Sequence, residues 1–389
     1  MTISDNFVND LLNKWKYNVD IAKNIEVWNT SPAKSAEWVD FPEDIPLIIK
    51  NALLSLDIKK LYSHQEHSWK LTNNGKNVVI VTGTASGKSL CYNLPVISTL
   101  MSSPQSKALY IFPTKALAQD QKVALEKLTS AIFQEDGSTI AVNSEIYDGD
   151  TPAHTRQAIR QRARIILSNP DMLHSGILPH HTLWANFFQQ LRYVIIDEIH
   201  TYRGVFGSHV ANMIRRLKRI AAFYGSSPQF ILTSATIDQP KNFAARLIET
   251  EVYLVDHDGS SHGEKHFLIY NPPIVNPDLG IRRSALTECI KLTQELINDD
   301  IQTIIFGRAR KTVELILASL QQNRSGNINK ISGYRSGYLP SERRGIEASL
   351  RSGQLRAVIA TNALELGIDI GEMDASILLG YPGTIAATR

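Results

Sequence analysis

Val78-Val79-Ile80-Val81-Thr82-Gly83-Thr84-Ala85-Ser86-Gly87-Lys88-Ser89 is the stretch on which the reading of this chain turns. Four apolar β-branched residues predict a short buried strand, the small residues after them a tight loop, and Lys88-Ser89 the start of a helix. Backbone N–H groups in such a loop, added to the positive end of the helix dipole, form a concavity for phosphate oxygens. In that geometry Lys88 reaches the β- and γ-phosphates, and the Ser89 hydroxyl holds a magnesium ion. The standard spacing asks for Gly where this chain has Thr82, with Gly83 the nearest substitute. The alternative is an ordinary strand, turn and helix that contains Gly-Lys-Ser, so the surrounding chain has to separate the two.

Downstream the same grammar of apolar strand, polar turn and helix recurs. Ala108-Leu109-Tyr110-Ile111-Phe112 precedes Pro113-Thr114-Lys115 and a helix over 116–128. Further strands are expected over 139–142, 164–168, 193–196 and 230–234. Continuous apolar strands separated by helices predict a parallel sheet covered on both faces, with ligands at the carboxyl ends of its strands. Upstream, apolar residues at helical spacing (Ile3, Phe7, Leu11, Leu12, Trp15, Val19) predict an amphipathic helix over 3–23, packed by default on the domain that follows. Breaker residues over 28–46 predict an extended connector, a helix follows over 47–56, and another starts near Ser63. From Asp256 to Gly280 the composition turns to Asp, Gly, Ser, His and Pro, which reads as a linker. The grammar then restarts with a helix over 284–298 and strands over 303–306, 357–360 and 376–379. The expected division is an N-terminal extension over 1–56, a nucleotide domain over 57–256, a linker over 257–280 and a second parallel-sheet domain over 281–389.

Composition narrows the class. The 389 residues are 43% hydrophobic, as in ordinary globular proteins. The formal charge of +3 predicts no global basic surface, so any grip on nucleic acid must be local. Cys91 and Cys289 cannot form a zinc site by themselves. No apolar run of about 18 residues and no signal-peptide pattern occurs, so the expectation is a cytoplasmic protein without membrane contact.

Asp197-Glu198 closes the apolar strand over 193–196. An Asp there can hold magnesium, and an adjacent Glu can polarise the water that attacks a γ-phosphoryl group. With Lys88-Ser89 on another strand of the same sheet, the pair favours a nucleotide-hydrolysing site over a solvated turn. Thr84 to Ser89, Asp197-Glu198-Ile199-His200, Ser234-Ala235-Thr236 and Thr361-Asn362-Ala363-Leu364-Glu365-Leu366-Gly367-Ile368-Asp369 resemble motifs I, II, III and V of superfamily 2 DEAD/DEAH-box helicases. The block from Asp197 to Leu217 is similar to the RecQ-like repair helicases typified by mitomycin repair factor A, and the resemblance runs from about Phe41 to Thr388.

That resemblance implies two tandem RecA-like P-loop domains of α/β class, the second incomplete. Thr84, Ala85, Ser86, Gly87, Lys88 and Ser89 would hold ATP, and Gln65 would read the adenine edge. Pro113, Thr114 and Lys115 resemble motif Ia, and Asn169, Pro170 and Asp171 motif Ib. Both would grip a phosphodiester backbone without reading bases, although Thr114 and Asn169 are good helix caps in any case. Ser234, Ala235, Thr236 and His200 would couple the nucleotide site to the nucleic-acid track. Arg335, Thr361 and Asn362 would contact the tracking strand, with Gly367 and Asp369 facing the nucleotide. The implied activity is an ATP- and Mg2+-dependent DNA helicase moving 3′-to-5′ in DNA repair. The sequence given stops before motif VI, which would carry the opposing arginines. The expectation is therefore a fragment that needs the missing segment, on its own or a partner chain, for full activity. The alternative is an ATP- and DNA-binding protein with little or no hydrolysis or unwinding. A P-loop transporter ATPase or kinase would leave Ser234-Ala235-Thr236 and the second sheet unexplained.

Overall fold

The computed structural model describes residues 3–132, 142–322, 330–335, 337–361, 373–383 and 388. They fall into two compact units, Ala33–Gly263 and Met1–Pro32 with Glu264–Arg389.

The unit Ala33–Gly263 is built on seven strands, β1 (Val78–Val81), β2 (Lys107–Ile111), β3 (Ser144–Ile146), β4 (Ile165–Ser168), β5 (Leu191–Ile196), β6 (Gln229–Ser234) and β7 (Tyr253–Val255). They lie in the order β7-β1-β6-β5-β2-β4-β3, and every pair is parallel. The continuous apolar runs have a direct cause in this sheet. Val78 and Ile80 enter the core on one face with Ala108, Tyr110 and Ile195, whereas Val79 and Val81 enter the core on the other with Leu109, Val194 and Leu232. Alternate side chains of a strand point to opposite faces, so a strand covered on both sides must be apolar at every position. Helices α1 (Ser63–Asn73), α2 (Lys88–Ser102), α3 (Lys115–Ser130) and α4 (Gly204–Phe223) lie in this unit. The strand expected over 139–142 falls, except for Val142, outside the described residues. The edge position is filled by β3, which the sequence reading did not foresee.

The other unit carries a four-stranded parallel sheet, β8 (Thr303–Phe306), β9 (Ile331–Tyr334), β10 (Ala357–Ala360) and β11 (Ala375–Leu378), in the order β9-β10-β8-β11. Helices α5 (Ala285–Asn298), α6 (Arg310–Gln322) and α7 (Pro340–Arg351) accompany it. The N-terminal helix Ile3–Tyr17 belongs to this unit rather than to the one that follows it in the chain. Its Leu11 packs with Leu296 and Ile301, Trp15 Nε1–H donates to Glu295 at 2.7 Å, and Lys14 pairs with Asp299 at 2.9 Å. A further difference lies in the expected connector and linker: Ile25–Ser31 and Lys265–Tyr270 pair as an antiparallel ladder, with Trp28 opposite Leu268. Strand pairing between segments far apart in sequence leaves no local signature in a breaker-rich stretch. Among the described residues no helix is long and apolar enough to cross a membrane.

Candidate nucleotide and nucleic-acid site

Strand order decides which motifs meet. β1, β6 and β5 are adjacent, and at their carboxyl ends stand the loop Thr82 to Gly87, the block Ser234-Ala235-Thr236 and the pair Asp197-Glu198. β2 and β4 are neighbours on the far side of β5, and carry Pro113-Thr114-Lys115 and Asn169-Pro170-Asp171 at theirs.

The phosphate loop is closed by its own side chains. Ser86 Oγ–H donates to Gly83 O at 2.8 Å, which leaves Thr82 Oγ1–H to donate to Ser86 Oγ at 2.6 Å. Thr82, where the standard spacing has Gly, is thus a buried brace of the loop. The left-handed positions lie elsewhere, at Ala85 (φ 58°) and at Gly87 (φ 74°), the N-cap of α2. Gly87 has a second reason to lack a side chain, since a Cβ there would meet Gln65 Nε2 at 2.6 Å. Gln65 is itself buried. Its Oε1 accepts Tyr62 N–H at 2.9 Å and its Nε2–H donates to Gly87 O at 3.1 Å, so its amide braces the loop. Lys88 Nζ donates to Thr82 O at 3.0 Å and Gly83 O at 2.8 Å, while Gly83, Thr84 and Ala85 are exposed. Ser89 follows Lys88 in the first turn of α2.

Asp197 is 6% exposed, and its Oδ1 accepts Glu198 N–H at 3.0 Å and the Thr233 hydroxyl. Burial, reinforced by the neighbouring Glu198 carboxylate, pushes Asp197 up to about 6. Glu198 takes a left-handed backbone (φ 51°). Burial opposes its ionisation, but the His200 ring and the Lys88 ammonium outweigh it and hold Glu198 below its ordinary value. His200 Nδ1 lies 3.2 Å from Glu198 Oε2 and 3.3 Å from Ala235 N–H. One ring nitrogen cannot donate to the first and accept from the second at once, so β6 and the carboxylate compete for it. The link between β6 and the acidic pair therefore runs through the Thr233 hydroxyl, which donates to Asp197 and accepts Glu198 N–H at 3.3 Å, while Ala235 N–H reaches His200. Among the described residues Ser234 Oγ is buried without a partner, and Thr236 is exposed. Thr233 and Tyr202 were not foreseen. The hydroxyl of Tyr202, a residue 1% exposed, also has no partner among the described residues, and the nearby Asp197 and Glu198 add to burial in raising its pKa. Orphaned hydroxyls around a buried, hard-to-ionise carboxylate fit a site completed by a cation and its oxygen ligands.

On β2 and β4 the cap alternative holds in part. Thr114 Oγ1 accepts Leu117 N–H at 3.2 Å and Asn169 Oδ1 accepts Met172 N–H at 2.8 Å. Pro170 is buried, Asp171 is exposed, and Lys115 is tied to Asp150 at 2.7 Å. In the other unit Arg335 pairs with Glu314 at 3.2 Å and lies over the Tyr338 ring, and Thr361 N–H donates to Tyr334 O at 3.4 Å. Asn362, Gly367 and Asp369 lie outside the described residues.

Residues 62–243 match the DEAD/DEAH box helicase family, and residues 284–388 match the helicase conserved C-terminal domain. The chain belongs to the DEAD/DEAH box helicases. It is 50% identical over 367 residues to the uncharacterized ATP-dependent helicase YprA of Bacillus subtilis, covering 94% of this chain and 48% of YprA. It is 39% identical over 396 residues to the ATP-dependent helicase hrq1 of Schizosaccharomyces pombe, covering 99% of this chain and 37% of hrq1. The crystal structure of the DUF1998 helicase MrfA bound to DNA and AMPPNP is similar at a TM-score of 0.90 and 48% identity, over 97% of this chain and 52% of MrfA. The chain thus spans about half or less of the length of these relatives.

Proposed function

We propose that this chain carries the ATP-driven motor of a DNA helicase. The observation that supports it most is the convergence of Lys88, Asp197 and Glu198 on the adjacent strands β1, β6 and β5, with the Thr233 hydroxyl joining β6 to Asp197. In this reading the loop N–H groups and Lys88 neutralise the β- and γ-phosphates. Ser89 and Asp197 would hold Mg2+, which supplies charge neutralisation on the phosphate oxygens. Glu198 polarises the attacking water, and its competition with Ala235 for His200 passes the state of the site to β6. Gln65 braces the loop and retains one N–H and one lone pair for an adenine edge. Thr114, Lys115, Asn169, Arg335 and Thr361 grip the DNA backbone, so specificity lies in shape and strandedness. The AMPPNP and DNA named with MrfA support ATP and DNA as ligands here. The resemblance of the motifs supports 3′-to-5′ movement in DNA repair.

The test separates binding from turnover. With Mg2+ present, wild type and Glu198→Gln should bind AMPPNP within about threefold of each other. Glu198→Gln should lower single-strand-stimulated ATP hydrolysis by about 100-fold or more. Hydrolysis is measured on this chain and on one extended to the length of its relatives. Failure of wild type to bind AMPPNP would overturn the reading. Binding without DNA-stimulated turnover at either length would return it to an ATP- and DNA-binding protein.

A further inference from the structure

The chain over 256–263 has the composition of a connector, yet it lies against the phosphate loop. Gly83 N–H donates to Asp258 Oδ2 at 2.8 Å. The other carboxylate oxygen, Oδ1, accepts Ser260 N–H at 2.9 Å and Ser260 Oγ–H at 2.6 Å. Lys34 Nζ donates to the Asp258 carbonyl. One residue further, Gly259 N–H donates to His64 Nδ1 at 3.2 Å, and His64 Nε2–H donates to Ser86 O at 3.0 Å. Because a carbonyl only accepts, the ring proton sits on Nε2, and a single neutral tautomer satisfies both bonds. The fit is close as well. A Cβ at Gly259 would meet Ser63 Oγ at 2.2 Å, and a Cβ at Gly83 would meet Asp258 Oδ2 at 3.3 Å. Two successive residues therefore hold the loop, Asp258 at Gly83 directly and Gly259 at Ser86 through His64.

We propose that Asp258 is a positioning residue of the nucleotide site, fixing the phosphate loop through Gly83 and tying it to the segment that leads out of this unit at Gly263. The proposal rests on the nucleotide reading above. A loop that presents backbone N–H groups to phosphate binds more weakly when it must be ordered by the ligand, and Asp258 orders it beforehand. Nucleotide binding and the placement of residues 258–260 are then coupled, and the coupling acts in both directions.

Asp258→Asn isolates the contact. The amide oxygen is claimed by the two Ser260 donors, so the NH2 group turns toward Gly83 N–H and that bond is lost while the Ser260 turn survives. The expected result is an AMPPNP Kd raised about tenfold, from loss of one charge-assisted bond. Tm and the single-strand DNA affinity of the nucleotide-free protein stay at the wild-type values. Gly83→Ala presses on the same carboxylate from the loop side and should weaken AMPPNP about threefold, with the double variant showing less than the product of the two effects. Unchanged AMPPNP affinity in both single variants overturns the proposal. So does a parallel fall in Tm, AMPPNP affinity and DNA affinity, which is what a merely structural role predicts. Lys88→Ala is measured alongside. If it loses AMPPNP while Asp258→Asn does not, this inference falls and the nucleotide reading stands. If Lys88→Ala binds AMPPNP normally, the reading falls and takes the inference with it.

Discussion

The two parallel sheets share one grammar of strand, loop and helix, and they differ in how completely their strands are covered. In the seven-stranded sheet β1, β2, β4 and β6 are buried along their length and β5 at every position but Arg192, and the two faces feed two separate cores. In the four-stranded sheet β10 is equally buried, but β11 alternates, with Ala375 and Ile377 half-buried and Ser376 and Leu378 exposed. Among the described residues β11 is an edge strand paired with β8 alone, and every second residue of it is exposed. The chemistry follows the same division. The phosphate loop and the acidic pair stand on the more completely covered sheet, where packed strands set the spacing of Lys88 and Asp197.

Three experiments test that contrast, from the largest expected effect to the smallest. Lys88→Ala should weaken AMPPNP binding by at least about 100-fold, because a point charge and its donors are lost from the phosphates. Thr361→Ala, at the end of β10, should leave it within about twofold. Similar losses from both, read by calorimetry, would break the assignment of nucleotide holding to the larger sheet. Next, Ile195→Ala in the middle of β5 should cost about 2–5 kcal/mol in denaturant unfolding, whereas Leu378→Ala on β11 should cost less than about 1 kcal/mol. Equal costs would mean that the exposed face of β11 is covered in solution. The smallest effect is expected at Ala85→Gly. The left-handed φ of 58° strains a residue with a Cβ, so glycine should add roughly 1 kcal/mol, about 2 °C in Tm. A lower Tm would show that the Ala85 methyl makes contacts worth more than the strain.

The parts of this protein legible in the sequence are those with local causes. Val78 to Val81, Ile195-Ile196 and Ala357 to Ala360 announce buried strands because both faces demand apolar residues. Lys88-Ser89 and Asp197-Glu198 are legible because the chemistry sits at fixed offsets from strand ends. What stayed hidden depends on partners far along the chain. Thr233 gives no sign that its hydroxyl reaches Asp197, since that contact is made by the order of β5 and β6 in the sheet. His64 and Asp258 are 194 positions apart, and Asp258 and Gly259, two of the residues that make 256–263 read as a linker, are the ones that hold the loop. Thr82 shows the reverse case. A missing glycine suggested a weak match, but the position needs a hydroxyl brace, and the backbone freedom is needed at Ala85 and Gly87.

One consequence concerns synthesis. Ile25–Ser31 pairs with Lys265–Tyr270, and Trp28 Nε1–H donates to His266 across 238 residues of chain. At about 5–20 residues per second on the ribosome, the amino-terminal strand waits roughly 10–50 s for its partner to be made. During that interval the whole seven-stranded unit between them emerges and can fold. The order of translation thus favours completing the seven-stranded unit first, and Ile25–Ser31, made before it, finds its partner only after it.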